Sequence, residues 1–323
     1  MPSPLDAARE LARRYWARSR QRRTVAGFHS RFGGLWTDRL DARAELERRV
    51  AGGRLTREEG AKLSFWMENG FWIEKGAVPE ETLVALEREL ALLAADRADP
   101  PLVELGGRYE RLGPETRGHV KLVDAYARSR AALAAAFAPR LREFLRLVFE
   151  DDALLFQSLS FERGSEQPVH QDTAYVVVTP PLAFAAAWIA LEDIRAGSGE
   201  LVYHPKSHRL ADHLFGGTNK NWNAERDGLA AQQHFHAELL RRAAARGLAP
   251  ATFLPARGDV LFWNADLAHG GSPIRDARLT RKSLVCHYCP AHATPYYFHH
   301  RPERRVVRSF APGCTFASSH YPL

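Results

Sequence analysis

Cysteine is scarce in this chain, with only Cys286, Cys289 and Cys314 among 323 residues. So few cannot build a disulfide framework at this length, which predicts a reducing compartment. Long apolar runs are missing too, since no stretch approaches the ~20 residues of a membrane span. Residues 1–10 hold no apolar signal core, and the Arg-rich continuation to Arg23 suits a mitochondrial transit peptide poorly because Asp6 and Glu10 intervene. The closing Tyr321-Pro322-Leu323 matches no common address signal. These absences predict a cytoplasmic protein with no membrane segment.

Internal repeats and low-complexity linkers are likewise lacking. The net charge of +7 invites a nucleic-acid reading, but no zinc finger, helix-turn-helix or RNP-like aromatic pattern accompanies it. Much of the excess gathers toward the ends, at Arg13, Arg14, Arg18, Arg20, Arg22 and Arg23 and at Arg301, Arg304, Arg305 and Arg308. A solvated basic face is the expectation, with no nucleic-acid partner. Oligomeric state is not legible.

What is present is an ordinary globular composition, 45% hydrophobic and 26% charged. Residues 5–60 read as helical, with a capping box at Thr56 to Glu59 opening the segment that reaches Met67. Asn69-Gly70 breaks that helix, and 71–76 reads as a short strand and turn. Residues 80–93 form an amphipathic helix stopped by Asp99-Pro100-Pro101, and 129–149 another, with Leu133, Phe137, Leu141, Phe144, Leu145 and Val148 as its core stripe. From 153 onward the pattern changes to short apolar runs punctuated by Gly and Pro. Strands are predicted at 153–161, 169–178, 182–191, 200–203, 252–254, 259–263 and 281–288, interrupted by a polar, helix-prone insert at about 209–247. Helices followed by many short strands indicate an α+β chain with a mainly β core, an antiparallel double-sheet jelly roll. A helical extension, 1–62, is expected to pack on one catalytic domain, 63–323.

The chemistry gathers at a split set of ligand-type residues. His170-Gln171-Asp172 lies in one predicted strand, and His269 nearly a hundred residues later. Two imidazoles and a carboxylate on one face of a metal are the ligand set of non-heme Fe(II) oxygenases. On a strand, residues two apart point to the same side, so His170 and Asp172 can share one interior. His236-Ala237-Glu238 has the same form, but its surroundings favour helix, where two residues apart means different faces. Cys286 and Cys289 match C-x-x-C, yet no second ligand pair accompanies them, so packing is expected. His204 and His208 lack a carboxylate at ligand spacing, and His208 reads as structural.

Several ordered motifs resemble the phytanoyl-CoA dioxygenase family of Fe(II)/2-oxoglutarate oxygenases, over roughly residues 63–290. They are 69–78, Pro168-Val169-His170-Gln171-Asp172, 198–208, 258–263, His269-Gly270-Gly271-Ser272 and 281–288. The resemblance implies a double-stranded β-helix of cupin-like type, with His170, Asp172 and His269 as iron ligands. It makes Arg281 the residue that grips the far carboxylate of 2-oxoglutarate, a role suited to a guanidinium that stays charged when buried. Arg278 is the runner-up and reads better as a solvated loop cation. The gap from His269 to Arg281 is a residue longer than the family pattern. Trp188, Lys121, Leu159 and Ser272 fall where the family contacts the cosubstrate.

What the resemblance implies for activity is oxidation of an unactivated C–H, usually hydroxylation, with O2 consumed and 2-oxoglutarate converted to succinate and CO2. Ascorbate is expected to support turnover in vitro. Asp172 argues against halogenation, because related halogenases carry Gly or Ala there. Desaturation, epimerisation and cyclisation stay open. Gln157, Phe161 and Tyr175 flank the ligands, and the insert with Trp222 is a plausible lid over a small-molecule substrate. Two rivals stand beside this reading: a jelly-roll metalloprotein using the same ligands for non-oxidative chemistry, and a binding module with a vestigial iron site.

Overall fold

The computed structural model describes residues 25–105, 108–116 and 121–323. Its first elements are helices α1 (Ala42–Ala51) and α2 (Arg57–Asn69). The capping box forms as expected, with the Glu59 N–H donating to Thr56 Oγ1 and the Thr56 N–H donating to Glu59 Oε2. Residues 25–41 are not helical but a run of turns with one 3-10 turn at Trp36–Asp38, so the helical expectation fails there. The rest of that expectation, 5–24, lies outside the described residues. Helix α2 ends at Gly70, whose φ of +78° is left-handed. Any side chain there would also meet the His208 ring, since an added Cβ would lie 2.3 Å from Nδ1.

Strand β1 (Phe71–Glu74) and helix α3 (Glu80–Ala95) follow, then β2 (Leu102–Leu105), β3 (Arg108–Arg111) and β4 (Lys121–Val123). The expected single helix at 129–149 is two, α4 (Arg130–Ala136) and α5 (Pro139–Phe149), because Pro139 cannot continue a helix and starts the second. The core stripe holds across the break: Leu133, Phe137, Leu141, Phe144, Leu145 and Val148 are all buried.

The β region comprises β5 (Ala153–Phe161), β6 (Val178–Thr179), β7 (Ala185–Ala190), β8 (Leu201–Tyr203), β9 (Ala251–Phe253), β10 (Val260–Asn264), β11 (His269–Gly271), β12 (Ser283–Pro290), β13 (Thr294–Pro295), β14 (Arg308–Ala311) and β15 (Cys314–Phe316). Between β8 and β9 runs the insert, whose helix α6 (Ala224–Ala245) kinks at Gly228. Ten strands form the larger sheet, in the order β1-β10-β7-β12-β5-β4-β2-β3, with β15 parallel to β5 and β14 beside it. A smaller sheet has the order β11-β8-β9.

Strand alternation divides the larger sheet into two faces. Leu284, Cys286, Tyr288, Ala187, Ile189 and Phe262 point toward α2, α3 and α5, where Phe144 meets Phe262 at 4.4 Å. Fully burying each such Leu or Phe contributes about 1.5–3 kcal/mol. Trp188, Leu261, Trp263 and Val285 point the other way, onto Leu201, Tyr203 and Phe253 of the smaller sheet. Two antiparallel sheets sandwiching one apolar interior, with helices on the outside, make a cupin-like jelly roll whose barrel is open. Cys286 and Cys289 are both buried, in separate apolar clusters, and burial pushes the Cys286 thiol up to about 12. Among the described residues no helix is long and apolar enough to cross a membrane.

Candidate metal centre

The predicted strand 169–178 is not a strand. His170 makes a single bridge to His269, Asp172 begins a 3-10 turn (Asp172–Ala174), and pairing resumes only at β6. The expectation that His170 and Asp172 share a strand face is therefore wrong. What unites the ligands is cross-strand pairing. The His170 and His269 backbones exchange both N–H···O=C bonds, at 2.8 and 2.9 Å, and directly opposed residues project to the same side. Their ring centroids stand 4.5 Å apart. Gly270 permits the approach, since a Cβ there would lie 2.8 Å from the Gln167 carbonyl oxygen.

The turn then folds Asp172 back between the rings. Asp172 Oδ1 is 3.5 Å from Nε2 of both His170 and His269, and the three donor atoms lie within 4.8 Å of one another. Each imidazole is tethered by its other nitrogen: His170 Nδ1 donates to Pro168 O at 2.8 Å and His269 Nδ1 to Leu267 O at 2.9 Å. That tautomer leaves both Nε2 lone pairs facing the carboxylate, the arrangement a metal requires. Burial lowers His269 to about 4, opposed by Asp172, so its imidazole is neutral at pH 7. Burial alone would raise the Asp172 carboxyl, but His269 and His287 outweigh it and hold the acid well below the usual range.

Two residues whose roles were not anticipated hold the other carboxylate oxygen. Trp263 Nε1 donates to Asp172 Oδ2 at 2.7 Å and His287 Nε2 at 3.2 Å, leaving Oδ1 for the centre. His287 was legible in principle. Counting in twos from Arg281 through Ser283 and Val285 along the interior face arrives at it. Gln167, also missed, places Nε2 3.3 Å from His170 Nε2.

Arg281 lies just before β12 rather than within it, but its N–H donates to Glu162 O and prolongs the ladder. Its guanidinium is 2% exposed, with Nη1 donating to Gly199 O at 3.1 Å and Nε without a partner. Among the described residues no carboxylate reaches it. Its charge rests over the rings of Phe161 at 5.2 Å and Trp188 at 5.7 Å. Burial pushes it down to about 10, partly opposed by Glu200. Ser283, two positions on, is buried with its hydroxyl unpartnered. An orphaned guanidinium and an orphaned hydroxyl fit one missing dicarboxylate end.

The remaining predicted residues divide. Leu159 packs opposite Val285 on the interior face. Lys121 sits opposite Phe161, but its ammonium pairs with Glu104 at 2.6 Å. Ser272 follows β11 and its N–H donates to Glu200 O. Gln157 is opposite His287, one strand from the ligand cluster. Tyr175 stands 5.5 Å from the His170 ring and 6.2 Å from Trp222. His236 is helical, as expected, and is no ligand; it bonds to Tyr175 instead. Arg278 is exposed and pairs with Asp276. His204 Nδ1 bonds to Leu248 O and His208 Nε2 to Met67 O, and the described residues contain no second metal-type cluster.

The family model for phytanoyl-CoA dioxygenase matches residues 66–283. The chain belongs to that family. Solved structures with the same fold include the non-heme α-ketoglutarate-dependent carbocyclase SnoK from nogalamycin biosynthesis, at 17% identity and TM-score 0.57, covering 75% of this chain and 87% of that one. The epimerase SnoN in complex with Fe3+, α-ketoglutarate and nogalamycin RO is 18% identical with TM-score 0.52, covering 78% and 86%. EctD from S. alaskensis in its apoform is 18% identical with TM-score 0.51, covering 73% and 77%. No curated protein sequence matches the chain. In this phytanoyl-CoA dioxygenase family member the donor set fits Fe(II), and the unpaired Arg281 fits 2-oxoglutarate.

Proposed function

We infer that this dioxygenase-family protein hydroxylates an unactivated C–H of a small-molecule metabolite, consuming O2 and 2-oxoglutarate and releasing succinate and CO2. The observation that carries the reading is the convergence of His170, Asp172 and His269 beside a buried guanidinium that has no acidic partner. A carboxylate at Asp172 occupies the position a halide would need, which supports oxygen transfer over halogenation. Three buried free thiols agree with a reducing, cytoplasmic setting.

Fe(II) bound here supplies the two-electron oxidation with O2 and 2-oxoglutarate. His170, Asp172 and His269 would hold the metal, and Trp263 and His287 keep the Asp172 carboxylate turned so that one oxygen faces the centre. Arg281 and Ser283 would bind the far carboxylate, with Trp188, Leu159 and Phe161 lining its chain and excluding water. Lys121, paired with Glu104 and 5.8 Å over the Phe161 ring, would act through that ring, and Ser272 would act from the end of β11 beside Glu200. Gln157, Tyr175 and Trp222 would contact the substrate, offering aromatic faces and neutral hydrogen-bonding groups. That surface suits an uncharged, oxygenated metabolite.

The test is a metabolite screen for succinate release with Fe(II), 2-oxoglutarate and ascorbate, read alongside product mass. Wild type is expected to yield a product heavier by one oxygen atom, and Asp172→Ala neither product nor succinate. Succinate without oxygen in the product would replace hydroxylation by epimerisation or ring closure. No succinate with any compound, from iron-loaded protein, would refute the oxygenase.

A further inference from the structure

We propose that His236 is a positioning residue: with Gln232 it clasps the insert helix α6 onto Tyr175 and so fixes the aromatic wall beside the iron centre. The inference rests on the oxygenase reading above and names a part of the substrate wall that reading leaves open.

Gln232 and His236 are four residues apart on α6 and share one face. Both reach the Tyr175 hydroxyl, Gln232 Nε2 at 3.0 Å and His236 Nε2 at 2.8 Å. The amide donates to the phenol oxygen, and the phenol O–H is left to donate to the imidazole, which places the His236 proton on Nδ1. At its other end Tyr175 is held by the ligand-bearing turn, its N–H donating to Asp172 O at 2.8 Å. One side chain thus joins the insert to the segment that carries Asp172. Its ring meets His170 at 67°, edge toward face, and Trp222 at 70°.

Elsewhere α6 is held by Glu238 on His213 at 2.6 Å and by Arg242 on Ala211 O at 2.8 Å, and the clasp is what ties its Gln232–His236 face to Tyr175. The helix kinks at Gly228, with φ +72° and ψ 170° and nothing within 4 Å of an added Cβ. Behind it, lined by His213, His234, Glu238 and Arg242, lies a cavity of about 430 Å³. Its apolar anchor is Phe235 and Leu239 against Phe215, Ala174 and Ala268, with Leu210, Trp222 and Ala231 packed beside them. The two clasp hydrogen bonds contribute about 1 kcal/mol each to holding this face against Tyr175.

The experiment uses full-length protein loaded with Fe(II) and 2-oxoglutarate, without added substrate, in two arms. Under nitrogen, deuterium exchange of peptides spanning 229–240 is compared among wild type, His236→Leu and His236→Gln. Loss of one clasp bond predicts roughly fivefold faster exchange in His236→Leu, restored in His236→Gln, with iron content and 2-oxoglutarate binding unchanged. In air, with no substrate present, a ring C–H of Tyr175, whose ring stands 5.5 Å from that of His170, becomes C–OH, the second O2 atom enters succinate, and CO2 leaves. Peptide mapping is expected to find that oxygen on Tyr175 in wild type and His236→Gln, and to find it reduced or moved to another residue in His236→Leu. An identical oxygen pattern and identical exchange in His236→Leu would overturn the proposal, as would wild-type oxygen insertion away from Tyr175. Failure of wild type to form succinate both here and with every compound of the metabolite screen would refute the oxygenase instead, with the exchange arm still reporting the clasp.

Discussion

Replacing Arg281 by Met separates two quantities that normally move together, stability and ligand affinity. The guanidinium is buried without an acid, and its fall from 12.5 to about 10 corresponds to roughly 3 kcal/mol of uncompensated desolvation at about 1.4 kcal/mol per pKa unit. Against that stand the ring contacts to Phe161 and Trp188, worth about 1–2 kcal/mol together, and one hydrogen bond to Gly199 O. Methionine keeps the length and apolar volume. The ligand-free variant is therefore expected to be as stable as wild type or more stable by up to ~2 kcal/mol, as when buried charges give way to apolar groups. Affinity moves the other way. Two charge-assisted hydrogen bonds at about 1.5–3 kcal/mol each predict a 2-oxoglutarate Kd raised roughly 10²–10⁴-fold. Urea unfolding of the apoprotein and anaerobic titration of 2-oxoglutarate into the Fe(II) protein measure the two terms. Loss of apoprotein stability with unchanged Kd would refute the reasoning.

Two further outcomes follow from buried charge elsewhere. Burial lowers His208 to about 3, so between pH 6.5 and 3 the unfolded chain takes up a proton that the folded protein refuses. Its stabilising contribution is complete above pH 6.5 and is lost as pH falls, by at most about 1.4 kcal/mol per pH unit. Urea midpoints of the iron-free protein at pH 5 to 7 should accordingly fall less steeply for His208→Asn than for wild type. Lys220 is 7% exposed and pairs at 2.7 Å with both Asp212, which also accepts from Ser30, and Asp266, which accepts from Thr173 beside the iron ligand. Lys220→Met strands the buried Asp266 carboxylate and the half-buried Asp212 and is expected to cost about 3–5 kcal/mol, read as a lower urea midpoint; an unchanged midpoint would mean the pairs contribute nothing.

Why some parts could be read early and others not is clearest at the ligands. Ala153–Phe161 is a strand with the predicted bounds because its β-type residues run uninterrupted between turn signals. His170 and Asp172 do converge, but not for the local reason the sequence suggested. Residues 169–178 carry strand-type side chains, yet the chain turns at Asp172 because that carboxylate is bonded to Trp263 and His287, contacts outside any local window. Strands β2, β3 and β4 escaped prediction because they are short and partly polar and form a ladder that joins the sheet only where β4 pairs with β5.

The order of motifs along the chain alone determined the family, a candidate donor set and the cofactor it suits, because those depend on side-chain type and spacing. The tertiary structure decided which of several histidines serve which purpose. His269 meets His170 through a backbone pair across nearly a hundred residues, His236 is turned toward Tyr175 by a helix, and His287 reaches Asp172 from the interior face of β12. Imidazole chemistry is the same in all of them; only the partner that each fold position supplies, a carboxylate, a carbonyl or a phenol, sets the tautomer and thereby the role.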